Sequence, residues 1–207
     1  MEFRHYNIAQ KLIENGYNVC IITSAFSHLL HKPPILKYNH LIETIDGITY
    51  CWIKTPKYQG NSLGRVINML VFSLKLLKIQ NRVSLNRPDY VIASSPHIFV
   101  AWNGRKAAEY FNAKFIFEVR DIWPLTIMEL KRINKFHPFI VLMDAVENYA
   151  YRHADLVISP LPNLKTHLLN KGFGNIKIET IPNGILMEDF KCLNDFGNGI
   201  REGLKKL

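Results

Sequence analysis

The stretch "FEVRDIWPL", residues 117–125, places three charged residues directly after an aromatic run. The segment 114–119 that leads into it is rich in aromatic and β-branched residues, which is typical of a buried strand. Arg120 and Asp121 therefore follow the point where the backbone leaves the core. Because ligands of parallel sheets bind beyond the carboxyl ends of the strands, we predict that Arg120 and Asp121 belong to a functional site.

Strands and helices alternate on both sides of this stretch. Strands are predicted at 90–93, 114–119, 155–159 and 176–181, with helices at 98–112, 138–153 and 163–171. Upstream, the pattern predicts a helix at 3–15, a buried strand at 17–23, a hairpin at 40–53 turning at Asp46-Gly47, and a helix at 63–80. This alternation predicts an α/β, Rossmann-like parallel sheet with helices on both faces.

Composition limits the classes of protein to which the chain could belong. The chain has 207 residues, 48% of them hydrophobic, which suits one large domain with a core. A net charge of +9 suits an anionic partner, although a solvated Lys-rich surface explains it equally well. No helix-turn-helix, RRM or zinc pattern supports nucleic-acid binding. Three cysteines without CxxC spacing, and no apolar leader or 18-residue apolar run, predict a cytoplasmic protein.

Four motifs occur in order along most of the chain. They are "ASSPH" (93–97), "FIFEVRDIWPL" (115–125), "ENYAYRHADLVIS" (147–159) and "IPNGILMEDF" (181–190). Together they resemble the amino-terminal half of the family 4 glycosyltransferases, which are two-domain GT-B enzymes. The resemblance is greatest to the branch that builds bacterial surface polysaccharides, including lipopolysaccharide and capsule.

The resemblance implies a division of labour between two domains. The amino-terminal domain holds the sugar acceptor, the carboxy-terminal domain holds a nucleotide-sugar donor, and transfer proceeds with retention and without a bound metal. Asp121 would then contact an acceptor hydroxyl or stabilise positive charge on the sugar ring. Arg120 would contact a phosphate through its planar guanidinium. The alternative is that Arg120 and Asp121 only pair with neighbours and fix the loop.

Further site residues follow from the same comparison. Ser94 and Ser95 would donate to a ligand, or Ser95 would cap the next helix. Arg4 and His5 would be the remnant of a cleft-lining loop. Asn183 and Gly184 would form a turn with positive φ that leads into the interdomain hinge. His28 and His31 have no third ligand nearby, so no metal site is expected.

The chain also departs from the family pattern at both ends. Family members begin with a strand and a glycine-rich loop before the first helix, and that strand would lie between strands 17–23 and 90–93. We expect those two strands either to close up or to form a weak seam. Residues 1–185 would be an acceptor domain that is incomplete at its start, and 186–207 a linker and the beginning of a donor domain. Such a chain should not transfer sugar alone, and a separately encoded donor domain could complete it.

Two alternatives stay open at this point. The chain could be a catalytically silent module that binds a sugar, a polyprenyl phosphate or a partner enzyme. Helix 63–80, with Lys75 and Lys78 beside apolar residues, could lie on the inner face of the plasma membrane and meet a lipid-linked acceptor. A core-facing helix with lysines on its outer side explains the same pattern more simply.

Overall fold

The computed structural model describes residues 4–27, 30, 33–59, 63–79 and 86–184. Its helices are α1 (Arg4–Glu14), α2 (Leu63–Ile79), α3 (Val100–Phe111), α4 (Leu125–Lys131), α5 (Pro138–His153) and α6 (Leu164–Asn170). Its strands are β1 (Cys20–Ser24), β2 (His40–Ile45), β3 (Ile48–Ile53), β4 (Tyr90–Ser94), β5 (Lys114–Glu118), β6 (Leu156–Ser159) and β7 (Ile178–Thr180). A short 3₁₀ turn, Ser95–His97, follows β4. The predicted elements are confirmed, and α4 is a short helix whose bounds were not predicted.

The strands β4 to β7 form one sheet in the order β4-β5-β6-β7, and each neighbouring pair is parallel. Alternate residues of β5 point to opposite faces of this sheet. Phe115 and Phe117 are fully buried in the main hydrophobic core. The predicted α/β architecture with a parallel sheet flanked by helices is therefore confirmed.

Helices lie on both faces of this parallel sheet. On the face of Phe115 and Phe117, α3 approaches so closely that a Cβ on Gly104 would sit 2.8 Å from the Cβ of Ala93. On the same face, the ring of Tyr151 from α5 meets Phe117 edge to face. Glu118 points to the opposite face, where its carboxylate binds Arg4 of α1. Gly104 therefore allows α3 to pack close to Ala93 of β4, where a side chain at position 104 would clash.

The strands β1, β2 and β3 form a separate sheet in the order β1-β3-β2. The β2–β3 turn has Asp46 at φ 50° and Gly47 at φ 80°, which confirms the predicted primed hairpin turn. A small apolar cluster of Cys51, Ile53 and Phe72 joins this sheet to α2.

No hydrogen-bonded ladder joins β1 to β4 among the described residues, so the two sheets remain distinct. The two strands do not close up, and the split matches the alternative of a seam. The sequence was wrong about the burial of strand 17–23. Cys20 is exposed and the rest of β1 is only half-buried, because among the described strands β1 has a neighbour on one side alone.

Two helices cross between the sheets. α1 reaches β5 through Arg4 and reaches the β2–β3 turn through Tyr6, whose hydroxyl donates to Asp46 over 2.8 Å. α2 donates from Lys75 Nζ to the carbonyl of Lys54 just beyond β3, and from Ser73 Oγ to the carbonyl of Phe99 beyond β4. α2 therefore contacts the segments that follow β3 and β4.

Several sequence-based expectations fall outside the described residues. These are His28, His31, Cys192 and the segment 186–207. In the described ranges, no three His, Cys, Asp or Glu residues lie together as metal ligands would. Within the same ranges, no helix has the length and apolar character needed to cross a bilayer.

Candidate functional site

Polar side chains meet at the carboxyl edge of the parallel sheet, where the sequence analysis placed them. Ser94 ends β4 and Glu118 ends β5, and the two are register partners. The segment after β7 brings Pro182 and Asn183 to the same edge. α1 begins here, so Arg4 and His5 enter the cluster from a distant part of the sequence.

Glu118 organises this cluster, although the sequence analysis gave it no role. Its side chain is 1% exposed. Oε1 accepts a hydrogen bond from Arg4 Nε at 2.8 Å. Oε2 accepts from Ser94 Oγ at 2.5 Å and from His5 Nε2 at 2.7 Å. The only signal in the sequence was an acidic residue at the last position of a strongly apolar strand.

The charge state of Glu118 follows from these contacts. Burial alone would raise the pKa of its carboxyl group, because desolvation disfavours the charged form. The hydrogen bonds from His5, Ser94 and Arg4, together with the charge on His5, outweigh burial and lower the pKa to about 2. Glu118 is therefore a carboxylate at every physiological pH.

Arg4 connects three parts of the chain from a buried position. Besides its bond to Glu118, its Nη1 donates to the carbonyl of Pro182 at 3.0 Å and to Asn183 Oδ1 at 3.1 Å. Its other terminal nitrogen, Nη2, is buried and has no hydrogen-bond partner among the described residues. A buried donor of this kind can still bind an oxygen of a ligand.

Ser95 holds the loop after β5 and has no hydroxyl capacity left for a ligand. It is 1% exposed, and its Oγ accepts from the backbone N–H of Arg120 at 2.8 Å and of Asp121 at 3.1 Å. The same hydroxyl donates to the carbonyl of Asp121 at 3.2 Å. The sequence analysis expected Ser95 to contact the sugar acceptor. In the structure its hydroxyl instead positions the loop that carries Arg120 and Asp121. Ser95 also makes no cap, since the residue at the cap position is Ser94 and its side chain makes no cap bond.

Arg120 and Asp121 lie side by side and half-buried on the loop that Ser95 fixes. Burial lowers the pKa of the Arg120 guanidinium, while the neighbouring Asp121 carboxylate raises it. The guanidinium stays protonated, since arginine in proteins does not lose its proton. A cation and an anion thus stand together next to the Glu118 cluster.

Asn183 and Gly184 differ from their predicted geometry. Neither has a positive φ, because the segment after β7 continues without a left-handed turn. Asn183 instead accepts a hydrogen bond from Arg4. Gly184 lies in an open groove of about 450 Å³ that also contains Ile8 and Leu12 of α1.

One other buried acid could be mistaken for a site. Glu147 on α5 is fully buried, and its carboxylate accepts from Tyr151 Oη at 3.0 Å and from Lys171 Nζ at 2.9 Å. Burial raises the pKa of Glu147, and the Lys171 charge opposes this shift. These bonds tie α5 to the end of α6, so Glu147 orders the helices.

The comparison with known families agrees with the fold. The model of the family described as Glycosyltransferase Family 4 matches residues 1–188. The chain therefore belongs to Glycosyltransferase Family 4, and the function of this domain is of the glycosyltransferase type. A search of curated proteins found no match.

Proposed function

We propose that this chain is the acceptor-binding domain of a GT-B glycosyltransferase that extends a bacterial surface-polysaccharide precursor. A second domain would hold the nucleotide-sugar donor and close over the carboxyl edge of the parallel sheet. The observation that carries the proposal is the convergence of Arg4, His5 and Ser94 on Glu118 at that edge, beside Arg120 and Asp121.

The chemistry of these groups suits a phosphorylated sugar acceptor. Arg4 offers a buried N–H that nothing in the described chain engages. Arg120 brings a half-buried positive charge, and charge-assisted bonds to phosphate are among the strongest that proteins make. Asp121 offers an acceptor for the hydroxyl that receives the sugar. Glu118 is paired with Arg4 and hydrogen-bonded to His5 and Ser94, so it positions these groups and is not itself available as a base.

We also propose that α2 rests on an anionic membrane that carries a lipid-linked acceptor. Three apolar side chains on one side of α2, those of Ile67, Leu70 and Leu74, are exposed. On the other side, Asn68 and Phe72 are buried. α2 contains no acidic residue, and the whole chain carries a net charge of +9. An apolar strip on a basic protein is the composition that binds anionic lipid surfaces.

The first experiment measures acceptor binding. The purified chain is titrated with a polyprenyl-phosphate-linked monosaccharide in detergent micelles, and affinity is read by isothermal calorimetry. We expect Arg120→Gln to weaken binding by about tenfold or more, since a charge-assisted bond contributes about 1.5–3 kcal/mol. Arg152→Gln, at an exposed position near the end of α5, is the matched control and should bind as the unaltered chain does. Absence of binding, or equal loss in both variants, would contradict the proposal.

The second experiment tests the division between the two domains. The chain alone, given nucleotide-sugars and the same lipid acceptor, should yield no glycosylated product. Robust turnover by the chain alone would refute the proposed separation of donor and acceptor sites. It would leave the acceptor-binding result untouched, so the two experiments fail independently.

A further inference from the structure

The positive charge of the chain is concentrated in one part of its sequence. Residues 47–88 contain seven lysines and arginines and no aspartate or glutamate, so they supply most of the net charge of +9. The described part of this stretch forms β3 and α2. A charge imbalance confined to one part of a domain indicates where an anionic partner binds.

An open groove lies where the end of β3 meets the segment before β2, and we call it the hairpin groove. Its volume is about 450 Å³. Its lining consists of Lys37, Tyr38, Asn39, His40 and Lys54. The carbonyl of Asn39 accepts from Lys54 N–H at 2.9 Å, which continues the antiparallel pairing of β2 with β3 by one residue. Backbone pairing therefore holds the two walls of the groove together.

A third ammonium group lies at the rim of the hairpin groove. Lys75 of α2 donates from Nζ to the carbonyl of Lys54 at 2.7 Å, and an ammonium group has three donors in all. Ser73, two positions earlier on α2, donates to the carbonyl of Phe99 in the segment after β4. The groove and that segment therefore contact the same turn of one helix.

The protein does not engage the cationic groups of the groove. Among the described residues, the side chains of Lys37, His40 and Lys54 have no hydrogen-bond or ion-pair partner. Lys37 and Lys54 are exposed, and His40 is half-buried. The groove thus offers several donors that only solvent or a ligand can engage.

The two acids of the β2–β3 hairpin are engaged away from the groove. Glu43 accepts from Trp52 Nε1 at 2.6 Å. Asp46 accepts from Tyr6 Oη at 2.8 Å, at the turn that forms the opposite end of the hairpin. The positive charge of the groove is therefore left for a ligand.

The chemistry of the lining favours an anionic sugar. Ammonium groups bind carboxylate and phosphate through charge-assisted hydrogen bonds, and the Tyr38 hydroxyl and Asn39 amide can add neutral ones. The Tyr38 ring is 78% exposed, so it also offers an apolar surface beside the charges. A sugar ring with a carboxylate or phosphate has both an apolar face and an anionic group. A concave polar site suits such a discrete ligand, whereas membrane contact depends on a protruding apolar face.

We propose that the hairpin groove binds an anionic sugar residue of the acceptor through its carboxylate or phosphate group. The inference rests on the proposed function for the acceptor that carries this sugar. The groove shares no residue with the Glu118 cluster, so an acceptor with an acidic sugar is held at two places and a neutral one at a single place. The groove thereby sets which acceptor the domain prefers.

The test titrates the whole chain with three probes that share one ring and differ only at C6. Galacturonic acid has a carboxylate there, galactose 6-phosphate has a phosphate, and galactose has a neutral hydroxyl. We expect saturable shifts of the amide NMR signals of Asn39, His40 and Lys54 with the two anionic probes alone. The anionic probe that binds more tightly identifies the group. Absence of binding by both, or equal binding of galactose, would overturn the proposal.

Two double variants provide a matched pair. Exposed ion pairs contribute little one at a time, so Lys37→Gln/Lys54→Gln removes both ammonium groups and should weaken binding of the anionic probes by about tenfold. The control, Lys57→Gln/Lys165→Gln, removes the same charge from exposed positions outside the groove and should bind as the unaltered chain does. Equal weakening in both variants would contradict the proposal, because attraction by net charge would then explain the binding.

The remaining outcomes separate this inference from the proposed function. If the lipid-linked acceptor binds and the anionic probes do not, the inference is wrong and the proposed function stands. If the probes bind at the groove and the lipid-linked acceptor does not bind, the proposed function is wrong and the groove is still an anion site. If the groove variant loses binding only to phosphatidylglycerol vesicles, the groove is a lipid surface and the inference is wrong.

Discussion

The two sheets of this domain differ in how completely they are covered. The β4–β7 sheet buries Phe115 and Phe117 completely in a core shared with α3 and α5. In the described part of the chain, the β1–β3–β2 sheet contributes Cys51 and Ile53 to a small buried cluster with Phe72 of α2. Both contain strands of similar apolar composition, so the difference arises from their neighbours. An apolar strand contributes fully to stability only when other elements remove it from water.

The largest expected effect lies in the well-covered sheet. Phe117→Ala should lower the free energy of unfolding by about 3–5 kcal/mol, because its ring is fully buried and packs on Tyr151. Denaturant unfolding followed by circular dichroism measures this loss. Phe136, which is 75% exposed, is the control, and Phe136→Ala should change stability little. Equal effects at both positions would show that the β4–β7 core is not the main source of stability.

The next effect concerns the ion pair that joins α1 to the parallel sheet. Glu118→Gln leaves Arg4 buried without its counter-charge and should cost about 3 kcal/mol at neutral pH. The folded pKa of Glu118 is about 2, below its ordinary value of 4.5, so its stabilisation is present above about pH 4.5. It is lost as the pH falls from about 4.5 towards 2. Unfolding measured across that window should show less acid sensitivity in Glu118→Gln; an unchanged slope would contradict the assignment.

A smaller effect is expected in the poorly covered sheet. Phe72→Ala removes the ring that joins α2 to Cys51 and Ile53, and should cost about 2 kcal/mol, below the usual range for buried phenylalanine, because the cluster is small. Amide exchange should accelerate in β1 to β3 and stay unchanged in β5 and β6. Acceleration throughout would show that the two sheets unfold as one unit.

The last effect is nearly absent at neutral pH and concerns His97, whose ring meets Phe72 where the two regions join. Burial, with a lesser contribution from the Arg65 charge, lowers the pKa of His97 to about 4 from 6.5. The unfolded chain therefore binds more protons between these values, and stability falls as the pH drops from about 6.5 towards 4, by about 2 kcal/mol at pH 5.

His97→Leu should remove most of this loss and leave stability at neutral pH nearly unchanged. Thermal unfolding at pH 7 and pH 5, compared between the unaltered chain and the variant, measures the difference. The same decrease in both proteins would exclude His97 as the source of acid sensitivity.

Local sequence pattern predicted most of the elements. The helix at 138–153 and the hairpin turning at Asp46-Gly47 are confirmed, because periodicity and turn chemistry depend on nearby residues. The pattern also placed Ser94, Arg120 and Asp121 at the correct edge of the sheet. It did not predict that the Ser95 hydroxyl would bind the loop of Arg120 and Asp121. It also wrongly predicted a turn with positive φ at Asn183 and Gly184.

The sequence by itself determined the order of strands and helices, and hence the edge at which polar residues gather. Only the tertiary structure decided that Glu118 is the centre of that edge, because its partner Arg4 is 114 positions away and no local period links them. Only the tertiary structure decided that β1 and β4 stay apart, since a strand's burial depends on which strands pair with it. Local sequence decides whether a segment forms a strand or a helix. Pairing between distant segments decides which of its edges and faces stay uncovered.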